Sequence, residues 1–446
     1  MEFSFPGGVF CDVRIEEVTR TYIKITQGTL DEYLAREYSA AFVRVYDGVR
    51  WFYGSTSDLG SIQRQIDLLA GMAGRSDGMD DDPVVARLQA NRGEHYRFGG
   101  REVSSTPRKE KLALLESCLG PVAGHSSVAS WTASYSDGRT CKRIISSKGA
   151  DVSFDTQTAA LLVGFQMASG DRRFGETDWS SAEDFAGLGG GLPGLEEKLV
   201  QSEDCLMNAE PIPPGEYPVV LSPLAAGIFA HESFGHKSEA DFMAGDETMM
   251  REWAMGTRVG SPVLSIVDDG NEGGSGFTPF DDEGTRASRT WLIREGILSG
   301  RLHSASTAAA LGEETTGNAR SVSFEYQPIP RMTTTYILPG AASFDELISG
   351  MDEGLLVETI KHGSGLSTFT LAPNTAHWIR SGRVAGPVNA SVITGNVMET
   401  LGRIDGLSDR LELVSFPGGG CGKNEQYPLP VGFGGPWVRV SRMNVR

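Results

Sequence analysis

Apolar and polar residues alternate in short runs along the first half of the chain. Cys11 to Val18, Tyr22 to Thr26 and Ala40 to Tyr53 carry this two-residue period, which predicts strands. Within the third run, Asp47-Gly48 between apolar segments predicts a hairpin. The period changes between Asp58 and Met72, where Ile62, Ile66, Leu69 and Met72 share one helical face. Thr106-Pro107 opens a second helix through Leu115. Ser127 to Tyr135 and Cys141 to Ser146 read as strands again, with Ser136-Asp137-Gly138 as the turn between them, and Ala160 to Met167 follows. The glycine-rich segment from Gly187 to Gly194 breaks regular structure and leads into a polar helix ending near Met207. Pro211, Pro213 and Pro214 then mark a boundary, which divides the chain into domains 1–210 and 211–446.

The second half opens on an apolar run from Ser222 to Ala230 that reads as a helix, with Ser222 as N-cap and Pro223 at the first helical position. Beyond it the pattern is mostly β. Strands are expected near 263–267, 289–293, 333–337, 356–360, 367–371, 377–379, 391–394, 411–415 and 437–440, punctuated by turn dipeptides. The expected class is α+β: an N-terminal α/β domain followed by a mainly antiparallel β domain that carries the Ser222 helix.

Composition narrows the function. A chain of 446 residues is long enough for two or more cores. A net charge of -18 with scattered basic residues argues against nucleic acid as a partner. The 56 glycines exceed the usual share and fit many tight turns. Five widely spaced cysteines without a CxxC pair argue against a disulfide framework. Neither a signal-peptide pattern nor an apolar run of membrane-spanning length is visible. The expectation is a soluble cytoplasmic protein.

Candidate chemistry concentrates where the helix run ends, in His231-Glu-Ser-Phe-Gly-His-Lys-Ser-Glu-Ala-Asp241. A His-Glu pair with a second His about one turn on is the pattern of zinc hydrolases, in which histidines hold metal and the Glu moves protons. Here the histidines stand five apart rather than four. On an ideal helix that leaves them about 140° apart around the axis. Both reach one ion only if the helix bends, widens or ends between them, and Gly235 makes such a break plausible. The alternative is a solvated helix end with two ordinary histidines. Cys421, flanked by glycines and close to Lys423, offers a thiolate as a third ligand. Two imidazoles and a thiolate suit zinc with one position open. The alternative is an inert buried cysteine in a turn.

Two phosphate motifs fail. Pro417 stands where a Walker loop needs Gly, and Asn424 where it needs Ser or Thr. Gly189, Gly191 and Gly194 match GxGxxG, but a polar stretch precedes them where an apolar strand is required.

The His231–Asp241 stretch resembles the HExxGHxxEGD-type signature of the TldD/PmbA family of metallopeptidases, with Ala240 in place of the last glycine, and its two histidines point to the TldD side. Further blocks are similar and occur in the family's order: Ile266–Gly270, Phe280–Thr285, Thr316–Arg320, Pro330–Met332, Ile393–Asn396 and Gly419–Lys423. Val43–Gly54 is similar to the family's early strand pair. The resemblance is strong after Pro214 and thinner before it.

This resemblance implies a Zn2+ site made by His231, His236 and Cys421, with Glu232 as the catalytic carboxylate that activates a zinc-bound water. The expected function is a zinc-dependent peptidase acting on peptides or unfolded segments. The family also implies a dimer enclosing the site, either a homodimer or a heterodimer with a PmbA-like chain. Two alternatives remain: a non-catalytic partner subunit and a non-proteolytic metal-dependent amide hydrolase. Glycine-rich strand edges would hold an extended substrate by backbone pairing. Arg320, Tyr326 and Lys423 are the candidates for oxyanion stabilisation. Glu239 or Asp241 is placed to orient an imidazole. The clusters Asp268-Asp269-Gly270 and Asp281-Asp282-Glu283-Gly284 lack EF-hand spacing and read as turns rather than calcium sites. His95, His125, His303, His362 and His377 show no partner pattern and read as packing or surface residues.

Overall fold

The computed structural model describes residues 1–417 and 419–446. The first half is built on a twisted sheet with unusually long strands, among them Phe10–Thr26, Thr29–Tyr46, Val128–Ser146 and Asp151–Ser169. In spatial order the sheet runs Trp51–Thr56, Thr29–Tyr46, Phe10–Thr26, Val128–Ser146, Asp151–Ser169 and Arg92–His95, with Arg172–Ala182 also paired to Asp151–Ser169. Every pairing is antiparallel except that of Arg92–His95.

The two short runs read at Cys11–Val18 and Tyr22–Thr26 are thus one strand. The turn expected at Ser136-Asp137-Gly138 is absent. Those residues continue Val128–Ser146 and pair with Tyr22, Thr21 and Arg20 on one side and with Ala160, Ala159 and Thr158 on the other. Long-range ladders on both edges override the local turn preference. Asp137 is itself buried, paired with Lys111 and bonded to the Tyr135 hydroxyl. The hairpin at Asp47-Gly48 is present, and Asp47 accepts from the Val49 and Arg50 amides. Helices Ile62–Met72, Arg108–Ser117 and Leu195–Asn208 cover one face of the sheet. Ile62, Ile66 and Leu69 are buried there as their spacing predicts, whereas Met72 is exposed.

The two faces of Phe10–Thr26 differ as a strand period requires. Cys11, Val13, Ile15, Ile23 and Ile25 pack under those helices. Asp12, Arg14 and Glu16 point the other way, into a buried ion network with Arg44, Lys142, Asp282 and Glu283. The second half of the chain therefore packs on the polar-patterned face of the first sheet.

From Glu210 onward the chain forms a ten-stranded and a six-stranded sheet. Strand Glu210–Pro211 joins the edge of the larger one, beside Arg383–Asn389. At the opposite edge lies Ile360–Gly365. Helix Pro223–Ala230 lies between the sheets and shares a core with Val219, Leu221, Ile266, Ile337, Leu355 and Val438. Gly227 permits this seat, because a Cβ there would stand 2.5 Å from the Gly434 amide nitrogen. No helix among the described residues is long and apolar enough to cross a membrane.

Candidate metal centre

The Pro223 helix starts as its sequence dictates. The Ser222 hydroxyl accepts from the Ala225 amide at 3.1 Å, and Pro223 takes the first helical position. Regular α-helix lasts only to Ala230. His231–Gly235 is a π-turn, followed by a short 3-10 turn over His236–Ser238. The His236 amide donates to the His231 carbonyl, an i→i+5 bond that closes the wider turn between the two histidines. Their rings then lie 5.1 Å apart, centre to centre, rather than on opposite sides of a helix.

Gly235 serves this turn differently from the break its sequence suggests. Its backbone is ordinary right-handed helix, with φ -55° and ψ -50°. What demands glycine is space: a Cβ would sit 2.1 Å from the Met332 Sδ. Met332 is fully buried, so the turn is pressed against a filled core.

Cys421 comes from a hairpin formed by Cys421–Lys423 and Gln426–Leu429. Gly418, in the glycine-rich approach to it, lies outside the described residues. One donor atom each from His231, His236 and Cys421 falls within 4.8 Å of the others, and among the described residues no other such group forms. The Cys421 Sγ is 3.6 Å from the His236 Nε2. Burial alone would push the Cys421 thiol up, but the adjacent His231 and His236 imidazoles outweigh it and hold its pKa at about 5. Lys423, expected to favour the thiolate, is instead committed elsewhere. Its Nζ pairs with Glu239 at 3.0 Å and Asp241 at 2.6 Å, and donates to the Pro330 carbonyl.

Glu239 organises the surroundings. It is fully buried, and its Oε2 lies 3.0 Å from the His236 Nδ1. Burial opposes its charge, yet His236, Lys423 and Arg331 hold its carboxyl below the usual range. Burial likewise disfavours charge on His236, but Cys421 and Glu239 raise its pKa to about 10. Arg331 carries no role in its sequence context, yet it is wholly buried and donates to the Cys421 carbonyl at 2.8 Å. An arginine inside an apolar strand start, Pro330-Arg-Met332, is the signal that marks it.

Glu232 is different. Between Leu221 and Ala240 all positions are buried except Leu224, Ile228, Glu232 and His236, which are partly exposed. Four-residue spacing makes these a single accessible stripe. Glu232 also meets the edge strand Ile360–Gly365: a Cβ on Gly363 would lie 3.5 Å from the Glu232 Cγ, and one on Gly365 3.3 Å from the Glu232 carbonyl.

Other candidates make contacts of their own. Arg320 donates through Nη1 and Nη2 to the Met332 and Pro430 carbonyls. The Tyr326 carbonyl accepts from Arg14, which ties that loop to the first half. Asp268 accepts from Thr333, Thr335 and Asn318, and Asp282 pairs with Lys142. His303 is bonded by Thr307 and Glu313 inside the core.

A paired-sheet fold that gathers two histidines and a cysteine beside a partly exposed glutamate suits the metal-dependent hydrolase class. Residues 214–446 match the PmbA/TldA metallopeptidase C-terminal domain, and residues 11–73 match PmbA/TldA metallopeptidase domain 1. The chain belongs to the PmbA/TldD metallopeptidase family. A protein of Methanothermobacter thermautotrophicus named metalloprotease is 30% identical over 441 residues, 97% of this chain and 94% of that one. A zinc metalloprotease TldD homolog of Saccharolobus solfataricus is 27% identical over 453 residues, 98% of this chain and 97% of that one. Matches to other relatives span about half the length of both chains. Among solved structures, TldE from Thermococcus kodakarensis shares the fold, with a TM-score of 0.72 at 18% identity, covering 98% of this chain and 96% of that one.

Proposed function

We propose that this chain is a zinc-dependent peptidase whose ion is held by His231, His236 and Cys421, with Glu232 as the proton-transferring carboxylate. The observation that carries this reading is the π-turn, which turns both histidines toward Cys421 while leaving Glu232 on an accessible stripe. The residues fit the metal. The neighbouring imidazoles favour the Cys421 thiolate, and among the described residues the buried His231 Nδ1 has no hydrogen-bond partner. Two imidazoles and a thiolate are a donor set for zinc. Zinc names attach to a full-length relative as well.

When bound, zinc supplies Lewis acidity that lowers the pKa of a water toward neutrality. The Glu232 carboxylate accepts the proton of the attacking water and returns it to the leaving amine. Glu239 fixes the His236 ring, so that Nε2 faces Cys421. The outer side of Ile360–Gly365, at the end of its sheet, supports an extended peptide by backbone pairing beside Glu232. In this proposal a second chain, identical or PmbA-like, encloses the site, and the reaction belongs to the cytoplasm, in keeping with five free cysteines.

The test is cleavage of an unfolded peptide by wild type and by Glu232→Gln, each with its zinc content measured. The expected result is one zinc per chain in both, with kcat reduced on the order of 10²- to 10⁴-fold in the variant. Undiminished turnover would sink the assignment. Sedimentation of the wild type, alone and with a PmbA-like chain, tests the dimer.

A further inference from the structure

Two positions on the accessible stripe, Leu224 and Ile228, do not face the metal donors. They line a cavity of about 920 Å³ between the first sheet and the second half of the chain. Its floor is the sheet face away from the covering helices, where Thr132, Gly164 and Thr177 stand side by side across three strands. Short side chains there make the hollow. A Cβ on Gly164 would meet only the Thr177 and Thr132 hydroxyls, at 3.6 and 3.7 Å. Trp179 and Phe416 close one end as an edge-to-face pair with centroids 5.1 Å apart. Phe433 lines the cavity too, and its ring lies 6.3 Å from that of His231.

The cavity adjoins the proposed reaction centre through Ile228. Above Gly363 the Ile228 Cγ2 and the Glu232 Cγ approach the same point, at 3.0 and 3.5 Å. The cavity wall and the proton-transferring carboxylate are therefore neighbours on one helix face. The cavity carries one carboxylate, Glu176, against two cationic side chains, Arg173 and Lys361. Glu176 is tied down by Thr359, Asn374 and Thr375, while Arg173 and Lys361 sit at the exposed rim.

We infer that this cavity is a substrate subsite for large apolar side chains of the peptide, lying to one side of the scissile bond. The inference rests on the peptidase reading and adds selectivity to it. Backbone pairing on Ile360–Gly365 is indifferent to sequence, whereas a hollow of this size and apolar wall is not. Along a helix, Ile228 and Leu224 lie about 6 and 12 Å from Glu232. An extended peptide covers those spans in about two to four residues. The preferred apolar residue therefore falls about two to four positions from the cleaved bond.

Binding and cleavage separate the two readings. Zinc-loaded Glu232→Gln protein is titrated with fluorescein-labelled decapeptides. One has a plain Gly/Ser/Ala sequence, and the other carries Phe and Leu in its centre. The expected result is at least about tenfold tighter binding of the apolar peptide. Gly164→Leu, which fills the floor, and Trp179→Ala, which opens the far wall, should each cut that preference to below about threefold. Equal binding of the two peptides by the parent, or an undiminished preference in both variants, overturns the subsite. Wild-type cleavage of the same peptides, mapped by mass spectrometry, tests the peptidase reading on its own. No cleavage with an intact binding preference removes the peptidase and keeps the subsite. Cleavage of both peptides with no binding preference does the reverse.

Discussion

Glu239 shows how one residue can hold a site together without facing it. Its carboxylate meets His236 Nδ1 and Lys423 Nζ, each at 3.0 Å, and Arg331 Nε lies 3.9 Å away. Glu239 and Arg331 are both at zero exposure. Removing the carboxylate leaves two buried cations short of a partner and frees the imidazole to rotate. Glu239→Ala is therefore expected to lower zinc affinity about 10- to 100-fold, the usual range for a lost orienting partner. The same change should cost about 3–5 kcal/mol of stability, because it breaks a buried ion pair from one side. Glu239→Gln keeps a hydrogen-bond acceptor for the ring and should lie between the two. Chelator competition reads the affinity and thermal unfolding reads the stability. If Glu239→Ala binds zinc like wild type, the carboxylate is not the group that orients His236.

At the scale of elements, the turn from Pro223 to Ser238 decides whether the histidines meet. Its beginning was legible in Ser222 and Pro223, because caps are local chemistry. Its distortion was legible too, since histidines five apart cannot share an ion on a regular helix. The cause was not. Gly235 keeps helical angles, and the constraint comes from Met332, nearly a hundred residues away in the chain. Contacts of that kind leave no mark in a local pattern. Ser136-Asp137-Gly138 fails for the same reason: two flanking ladders and the Lys111 ion pair decide its conformation. The accessible stripe of Leu224, Ile228, Glu232 and His236 lay open in the four-residue spacing, but only burial of everything between them reveals it. Gly235→Ala should therefore destabilise the fold by about 1–3 kcal/mol through overpacking against Met332. Met332→Ala makes room for that Cβ, so the double variant should recover part of the loss relative to Met332→Ala alone. A double-mutant cycle of unfolding free energies measures this coupling, and simple additivity of the two changes would refute the contact as the cause.

The whole molecule depends on a sheet whose two faces do different work. One face of Phe10–Thr26 carries a hydrophobic core, and the other carries Asp12, Arg14 and Glu16, of which Arg14 reaches Asp282 of the second half and Asp12 holds Arg44 against Glu283. Strand alternation announces two faces but does not say that the charged one is buried, since an exposed polar face has the same pattern. The partner loop is Asp282-Glu283. Lys142 lies 2.5 Å from Asp282, Arg14 lies 3.6 Å from it, and Arg44 lies 2.9 Å from Glu283. Burial opposes the Asp282 charge, but Lys142 and Arg14 outweigh it and hold the carboxyl well below the ordinary aspartate range. An acid with a lowered pKa in the folded state contributes stability above its unfolded pKa of about 3.9. That contribution is lost as the pH falls toward the folded-state value. Asp282→Asn should then cost about 1.5–3 kcal/mol at neutral pH, because Arg14 and Lys142 each lose one of two carboxylate partners and keep Glu16. Between about pH 5 and pH 2 the wild type should lose stability more steeply than the variant, so the two curves converge in acid. Denaturant midpoints measured across that window give both slopes. Parallel curves would mean that Asp282 titrates alike in the folded and unfolded chains, and that its ion pairs do not join the two halves in the way described.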